Sequence, residues 1–332
     1  MRFTHYVLSP SKFAAAQVCV YILPMTSIGR INASLQTDQG RVRDHNEDFI
    51  AYKEPADASE VARNGWLYIV ADGVGGADAG EVASKFATER TIHNYLADGE
   101  TADWGNRLYT AMQTANTELR QLVSEQASTT GNRMATTMVA AILHGNRATI
   151  ANVGDSRGYH WKNGQFQQIT KDHSLVARLL EEGAITEEEA VSHPRRNVIL
   201  HSLGSEANPR IDLYEVELTP GEQLVLCSDG LTRHVADEEI AKIVGDREPA
   251  EATDFLVQLA NDRGGEDNIS VIVLQIDELP AQLQDNTRST IGRIANVKPV
   301  DERTRQALWI YTAVLCLIQT VLIILIWFLI AV

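Results

Sequence analysis

Apolar residues fall along the chain in three rhythms. Short β-branched and apolar runs at residues 67–71 (LYIVA), 137–143, 148–153, 223–227 and 269–276 predict strands. Segments 81–96, 101–126 and 249–262 carry apolar positions at helical spacing. Lys162-Asn163-Gly164 lies between two strand-like stretches as a turn signal. The helices come in long pieces, and several later strands are joined directly by turns. That arrangement predicts an α+β fold with largely antiparallel sheets, not a regular alternation of strand and helix.

The third rhythm is an unbroken one. Residues 308–332 run for 25 positions without Asp, Glu, Lys or Arg. As a helix such a stretch reaches about 37 Å, enough for a hydrocarbon core of about 30 Å. Trp309, Tyr311 and Trp327 stand near its ends, where interfacial aromatics belong. Arg293, Lys298, Arg303 and Arg305 precede it, so the positive-inside bias keeps the long N-terminal part in the cytoplasm. The expectation is a single-pass tail anchor in the inner or plasma membrane. Residues 277–307 lack sustained periodicity and read as a linker, and residues 1–30 as an unstructured extension. The apolar stretch 13–25 imitates a signal peptide, but Gln17 interrupts it and no small-x-small cleavage site stands out. A folded body of residues 31–276 is left.

Charge sharpens this outline. The 332 residues carry 29 Lys+Arg against 44 Asp+Glu, a formal charge of −15, which argues against a nucleic-acid partner. Apolar residues at 44% and charged residues at 22% exclude global disorder. Three well-separated cysteines, Cys19, Cys227 and Cys316, exclude a disulfide framework and fit a reducing compartment.

The acidic residues are not scattered evenly. Glu47 and Asp48 close the turn that begins at Arg43, and Asp72 follows LYIVA and precedes Gly73-Val74-Gly75-Gly76. Asp155 follows ATIANVG, Asp229 follows QLVLCS, and Asp267 stands just before ISVIVLQI. Any one of these aspartates alone reads most simply as a turn former or helix cap. Several carboxylates converging at strand ends repel one another unless cations lie between them. Oxygen-only donors suit Mg²⁺ or Mn²⁺, and the lack of paired Cys/His spacing speaks against zinc.

Six ordered motifs carry a resemblance. They are Gly40-Arg41-Val42-Arg43-Asp44-His45-Asn46-Glu47-Asp48, Ala71-Asp72-Gly73-Val74-Gly75-Gly76, Gly154-Asp155-Ser156-Arg157, Lys171-Asp172-His173-Ser174, Ser228-Asp229-Gly230 and Gly265-Glu266-Asp267-Asn268. Over residues 31–276 the chain resembles the metal-dependent serine/threonine protein phosphatases of the protein phosphatase 2C (PPM) family, bacterial branch. The resemblance implies an α-β-β-α sandwich with two central, mostly antiparallel sheets. It makes Asp72 a carboxylate bridging two Mn²⁺ or Mg²⁺ ions, with Asp229 and Asp267 as further ligands of the first. The second ion would take the Gly73 carbonyl and hold waters bonded to Glu47 and Asp48. Asp155 and Asp229 match a weaker third site, and Arg43 matches the phosphate-binding arginine. Residues 173–204 look like a mobile flap beside the cleft. The implied substrates are phosphoproteins and the implied counterpart is a Ser/Thr protein kinase. One position departs from the pattern. Val74 stands where some members carry a histidine that acts as general acid.

Other chemistries fit less well. Cys227-Ser228-Asp229-Gly230-Leu231-Thr232-Arg233 satisfies Cys-x-x-Gly-x-x-Arg, a cysteine-nucleophile phosphatase loop, yet Asp229 inside the anion cradle would oppose both phosphate and thiolate. Gly73, Gly75, Gly76 and Gly80 miss the spacing of a dinucleotide loop. A catalytically dead, membrane-tethered binding module is a third reading, but every matched carboxylate and Arg43 is present. His93, His144, His160 and His234 read as ordinary surface or core residues, while His45 neighbours Arg43 and Glu47. The Asn32 and Asn268 sequons mean nothing in a cytoplasmic domain.

Overall fold

A computed structural model of the chain describes residues 28–75, 79–99, 103–130 and 134–280. The expected extension up to residue 27, most of the expected linker and the apolar run 308–332 lie outside the described residues. Among the described residues no helix is long and apolar enough to cross a membrane.

Among the described residues, eleven strands and eight helices follow one another. The strands are β1 (Arg30–Asp38), β2 (Asp48–Lys53), β3 (Trp66–Val74), β4 (Ala135–Thr136), β5 (Met138–His144), β6 (Arg147–Val153), β7 (Arg157–Lys162), β8 (Gln165–Gln168), β9 (Asp212–Glu217), β10 (Gln223–Cys227) and β11 (Ile269–Glu278). The helices are α1 (Ala58–Asn64), α2 (Ala79–Ala97), α3 (Trp104–Thr130), α4 (Leu175–Glu181), α5 (Glu187–Val191), α6 (Asp229–Thr232), α7 (Asp237–Asp246) and α8 (Pro249–Asp262). One sheet has the order β1-β11-β10-β7-β8; the other runs β2-β3-β5-β6-β9, with β4 on β3. Every pairing is antiparallel.

Period two in the strands builds the layers, because successive side chains point to opposite faces. In β3, Leu67, Ile69 and Ala71 pack with Ala83, Ala87, Leu108 and Met112 of α2 and α3. Trp66, Tyr68 and Val70 turn the other way, against Leu224, Leu226, Ile272 and Leu274 of the facing sheet. That second sheet repeats the device. Val225, Cys227, Val271 and Val273 pack on Ile240, Val244, Leu256 and Ala260 of α7 and α8. Strands buried on both faces read as continuous apolar runs, and the result is an α-β-β-α sandwich.

The segments with weaker apolar rhythm are the ones that the sequence pattern passes over. β1 and β2 are half-buried edge strands, and β9 alternates strictly between partly buried and exposed positions. At the Lys162-Asn163-Gly164 turn, Asn163 has φ 51° and Gly164 φ 79°, the left-handed pair that a two-residue hairpin needs. Within the expected flap, α4 is capped by Ser174 and α5 by a Thr186/Glu189 capping box.

Antiparallel pairing also decides where strand ends gather. β3 and β6 both lie antiparallel to β5, so their C-termini share one end, with the N-terminus of β2 beside them. In the other sheet the C-terminus of β10 meets the N-termini of β7 and β11. The inter-sheet layer is the main apolar reservoir. Replacing fully buried Leu274 with Ala should cost about 2–5 kcal/mol of stability, read from urea unfolding of the full chain. A loss below about 1 kcal/mol would show that this layer can collapse around the gap.

Candidate metal centre

Asp48, the first residue of β2, is the register partner of Asp72 near the end of β3. Directly opposed residues share a face, so the two carboxylates are neighbours. Asp229 opens α6 directly beyond β10, and Asp267 lies just before β11, which pairs with β10. Asp155 follows β6 through Gly154, whose φ of 104° turns the chain. Asp72 feels the charges of Asp48, Asp229, Asp155 and Asp267, so all five aspartates form one electrostatic cluster.

Close backbone approach makes the cluster possible. A Cβ on Gly230 would lie far inside contact distance of the Asn268 carbonyl oxygen, so only glycine lets α6 sit against the Asp267 loop. Gly73 is squeezed in the same way between the carbonyls of Gly80 and Glu47. Its N–H donates to the Glu47 carbonyl at 3.1 Å. The Glu47 carboxylate packs over Gly80, where an added Cβ would stand 2.7 Å from Glu47 Cδ. Arg43, half-exposed, places Nη2 at 2.8 and 2.9 Å from the two oxygens of Asp267.

Burial makes these carboxylates costly to ionise. Desolvation, reinforced by neighbouring aspartates, pushes Asp48 up to about 7 and Asp155 up to about 8. Asp72 is raised well above the carboxylate range and Asp229 is raised too, again first by burial. Asp48 Oδ1, Asp155 Oδ1 and Asp229 Oδ1 are buried without a hydrogen-bond partner. Clustered hard oxygens with unused lone pairs fit a divalent cation of the Mg²⁺ or Mn²⁺ kind. Asp48, Asp72, Asp155, Asp229 and Asp267 are the carboxylates that could hold such an ion. Among the described residues, however, no three acidic or histidine side chains already surround a common point as formed ligands would. A guanidinium intervenes: Arg233 donates Nη2 to Asp229 Oδ2 and Nη1 to Asp267 Oδ2, the latter at 2.8 Å.

Several supporting residues escaped sequence reasoning. Asn268, set aside there as a meaningless sequon, staples the Arg43–Asp48 turn. Its Oδ1 accepts from the Glu47 N–H at 2.8 Å, and its Nδ2 donates to the carbonyls of Gln39 and His45, both at 2.8 Å. The neighbour of Arg43 and Glu47 is thus used through the His45 carbonyl. Ser228 Oγ donates to Asp48 Oδ2 at 2.8 Å, and the Asp72 N–H donates to Thr137 Oγ1 at 3.2 Å. His173 is buried. Its Nδ1 accepts from the Gly154 N–H at 3.3 Å and its Nε2 faces Asp212 at 3.2 Å, tying the base of the flap to the Asp155 loop. His160, read from sequence as an ordinary residue without a ligand-spaced partner, lies 2.9 Å from Glu222. Cys227 is fully buried in the outer apolar layer, and burial pushes its thiol up to about 12, which removes the thiolate that a cysteine nucleophile needs.

The raised carboxylates link stability to pH. A group with a folded pKa above its unfolded value stabilises fully below the unfolded pKa and loses that contribution as pH rises through the folded one. For Asp48 and Asp155 the window runs from the ordinary carboxylate value of 3.8 to about 7 and about 8. The metal-free chain should therefore unfold at progressively lower temperature between about pH 5 and pH 8. Saturating Mn²⁺ should raise the unfolding temperature more at the upper end of that window than at the lower. A flat profile in chelator would count against a buried, uncompensated cluster.

Comparison with known proteins places the chain. The family model for protein phosphatase 2C matches residues 41–270. The serine/threonine phosphatase stp of Listeria monocytogenes serotype 4b is 39% identical over 254 residues, which cover 74% of this chain and 96% of that protein. The serine/threonine protein phosphatase PstP of Mycobacterium tuberculosis is 37% identical over 243 residues, covering 73% of this chain and 44% of that protein. Among solved structures, the Mycobacterium tuberculosis phosphatase PstP/Ppp superposes with a TM-score of 0.66 at 35% identity, covering 74% of this chain and 99% of that one. The PstP catalytic domain in complex with two manganese ions gives 0.63 at 34% identity, covering 74% of this chain and 98% of that one. With a family match over most of its length and relatives of this identity and coverage, the chain belongs to the protein phosphatase 2C family of serine/threonine protein phosphatases.

Proposed function

We propose that this chain hydrolyses phosphoserine and phosphothreonine in proteins at a centre of two Mn²⁺ or Mg²⁺ ions, opposing a Ser/Thr protein kinase. The carrying observation is the cluster of buried Asp48, Asp155 and Asp229 with half-buried Asp72 and Asp267, and the orphaned oxygens on the first three. Bound divalent ions supply an activated water near neutral pH and neutralise charge on a phosphoryl group.

The chain's own residues do the rest. Asp72 would bridge the two ions, Asp229 and Asp267 would complete the first, and Gly73, Glu47 and Asp48 would serve the second. Asp155 and Asp229 would hold a third, weaker ion. Arg43 reaches into the cleft from a turn that Asn268 holds rigid, and its guanidinium fork suits two phosphoryl oxygens. Asp267 aims that fork, which limits the rotamer entropy lost when phosphate binds. Val74, 37% exposed, carries no ionisable proton, so it does not serve as general acid for the leaving seryl or threonyl oxygen.

The apolar run 308–332, with its basic flank, supports a tail anchor in the inner or plasma membrane that leaves the phosphatase in the cytoplasm. Its substrates would then be phosphoproteins at or near the membrane surface.

Replacing a metal-holding carboxylate should cost more than the 10–100-fold typical of its supporting partners. Asp72→Ala and Asp229→Ala should each lower Mn²⁺-dependent turnover of p-nitrophenyl phosphate and a phosphothreonine peptide by more than about 100-fold. Arg43→Ala should raise KM by about tenfold. Iodoacetamide should leave activity intact; alkylation that abolishes turnover while chelation spares it would reverse the mechanism. Deleting residues 308–332 should move the protein from the carbonate-washed membrane pellet to the supernatant. Recovery of the full chain in the supernatant would overturn the anchor.

A further inference from the structure

Arg233 caps α6 one helical turn after Asp229, and its side chain is only 28% exposed. One guanidinium nitrogen donates to Asp229 and the other to Asp267 Oδ2 at 2.8 Å. It therefore bridges two carboxylates that arrive from different segments, one beyond β10 and one before β11. The first ion is assigned to the same pair. Arg43 grips the outer side of Asp267, so that carboxylate already carries two guanidinium partners.

An ion and this guanidinium compete for the pair. Arg233 takes one oxygen of each carboxylate, and two cations within a few ångströms repel strongly where water is largely excluded. We propose that Arg233 is a tethered competitor for the first metal ion. It closes the Asp229–Asp267 pair when no ion is bound, and uptake of the ion displaces it. This rests on the reading of the cleft as a phosphatase metal centre. The exchange has two consequences. The acidic cluster keeps a counter-charge before loading, and loading requires more free divalent ion than the bare carboxylates would.

A merely structural Arg233 predicts the opposite sign. If its ion pair only held α6 and Asp229 in position, removing it would loosen the ligands and weaken metal binding. The test is Mn²⁺ titration of the chelator-stripped full chain by calorimetry and by electron paramagnetic resonance of free Mn²⁺. Arg233→Ala should bind its first Mn²⁺ about tenfold more tightly than the native chain, while unfolding at lower temperature without metal. Arg233→Lys, a point charge that cannot fork across both carboxylates, should fall between them. Arg233→Gln keeps the stem and removes the charge, and serves if the alanine variant does not fold. In the unmodified chain, the Arg233 Nε–H resonance should shift as the first equivalent of Mg²⁺ is added. Equal or weaker Mn²⁺ affinity in the charge-removing variants, or a static Arg233 resonance, would overturn the exchange alone. Failure of the native chain to take up Mn²⁺ would overturn the metal centre itself.

Discussion

Mutual repulsion among buried carboxylates is the constraint on which the centre depends. Asp48, Asp72, Asp155 and Asp229 are held where burial raises each one, and Asp267 stands among them between two arginines. No such cluster stays ionised in a low-dielectric pocket without compensating positive charge. Protons, guanidinium groups and divalent ions are the three sources open to this chain. Exchange among them couples folding, pH and metal loading at one place.

The sandwich supplies the rigidity that keeps the carboxylates from moving apart. Each acidic residue sits at or just beyond the end of a strand whose interior is packed, in most cases on both faces. The Asp48–Asp72 neighbourhood is a matter of strand register: a one-residue slip would send one of the two side chains to the opposite face. Gly73 and Gly230 set the remaining distances, because their missing side chains are where another backbone passes. Hydrogen bonds from Asn268, Ser228 and His173 then lock the turns that the sheets leave free.

Residues 173–204 illustrate where packing stops deciding. α4 has no buried residue and is held by its Ser174 cap and backbone hydrogen bonds at its base. A segment with so little buried apolar surface belongs to the low-stability end of a fold, which suits the border of a cleft that must admit a protein substrate.

Periodicity alone was enough for the doubly buried strands and for α2, α3 and α8, since burial on two faces or one stripe leaves a direct trace in residue type. It also marked acidic residues at strand ends, and six ordered motifs tied them to one family. Edge strands β1, β2 and β9 were illegible because half-exposed positions tolerate polar residues. The partners of Asn268 and Arg233 were illegible for a different reason. An amide or a guanidinium looks the same in sequence whether it faces solvent or bridges segments more than thirty residues away, such as Arg233 and Asp267. The identity of the charged groups was thus written locally. Which of them share a pocket, and which cation lies between them, depended on strand register and close backbone approach, and those exist only once the two sheets have packed.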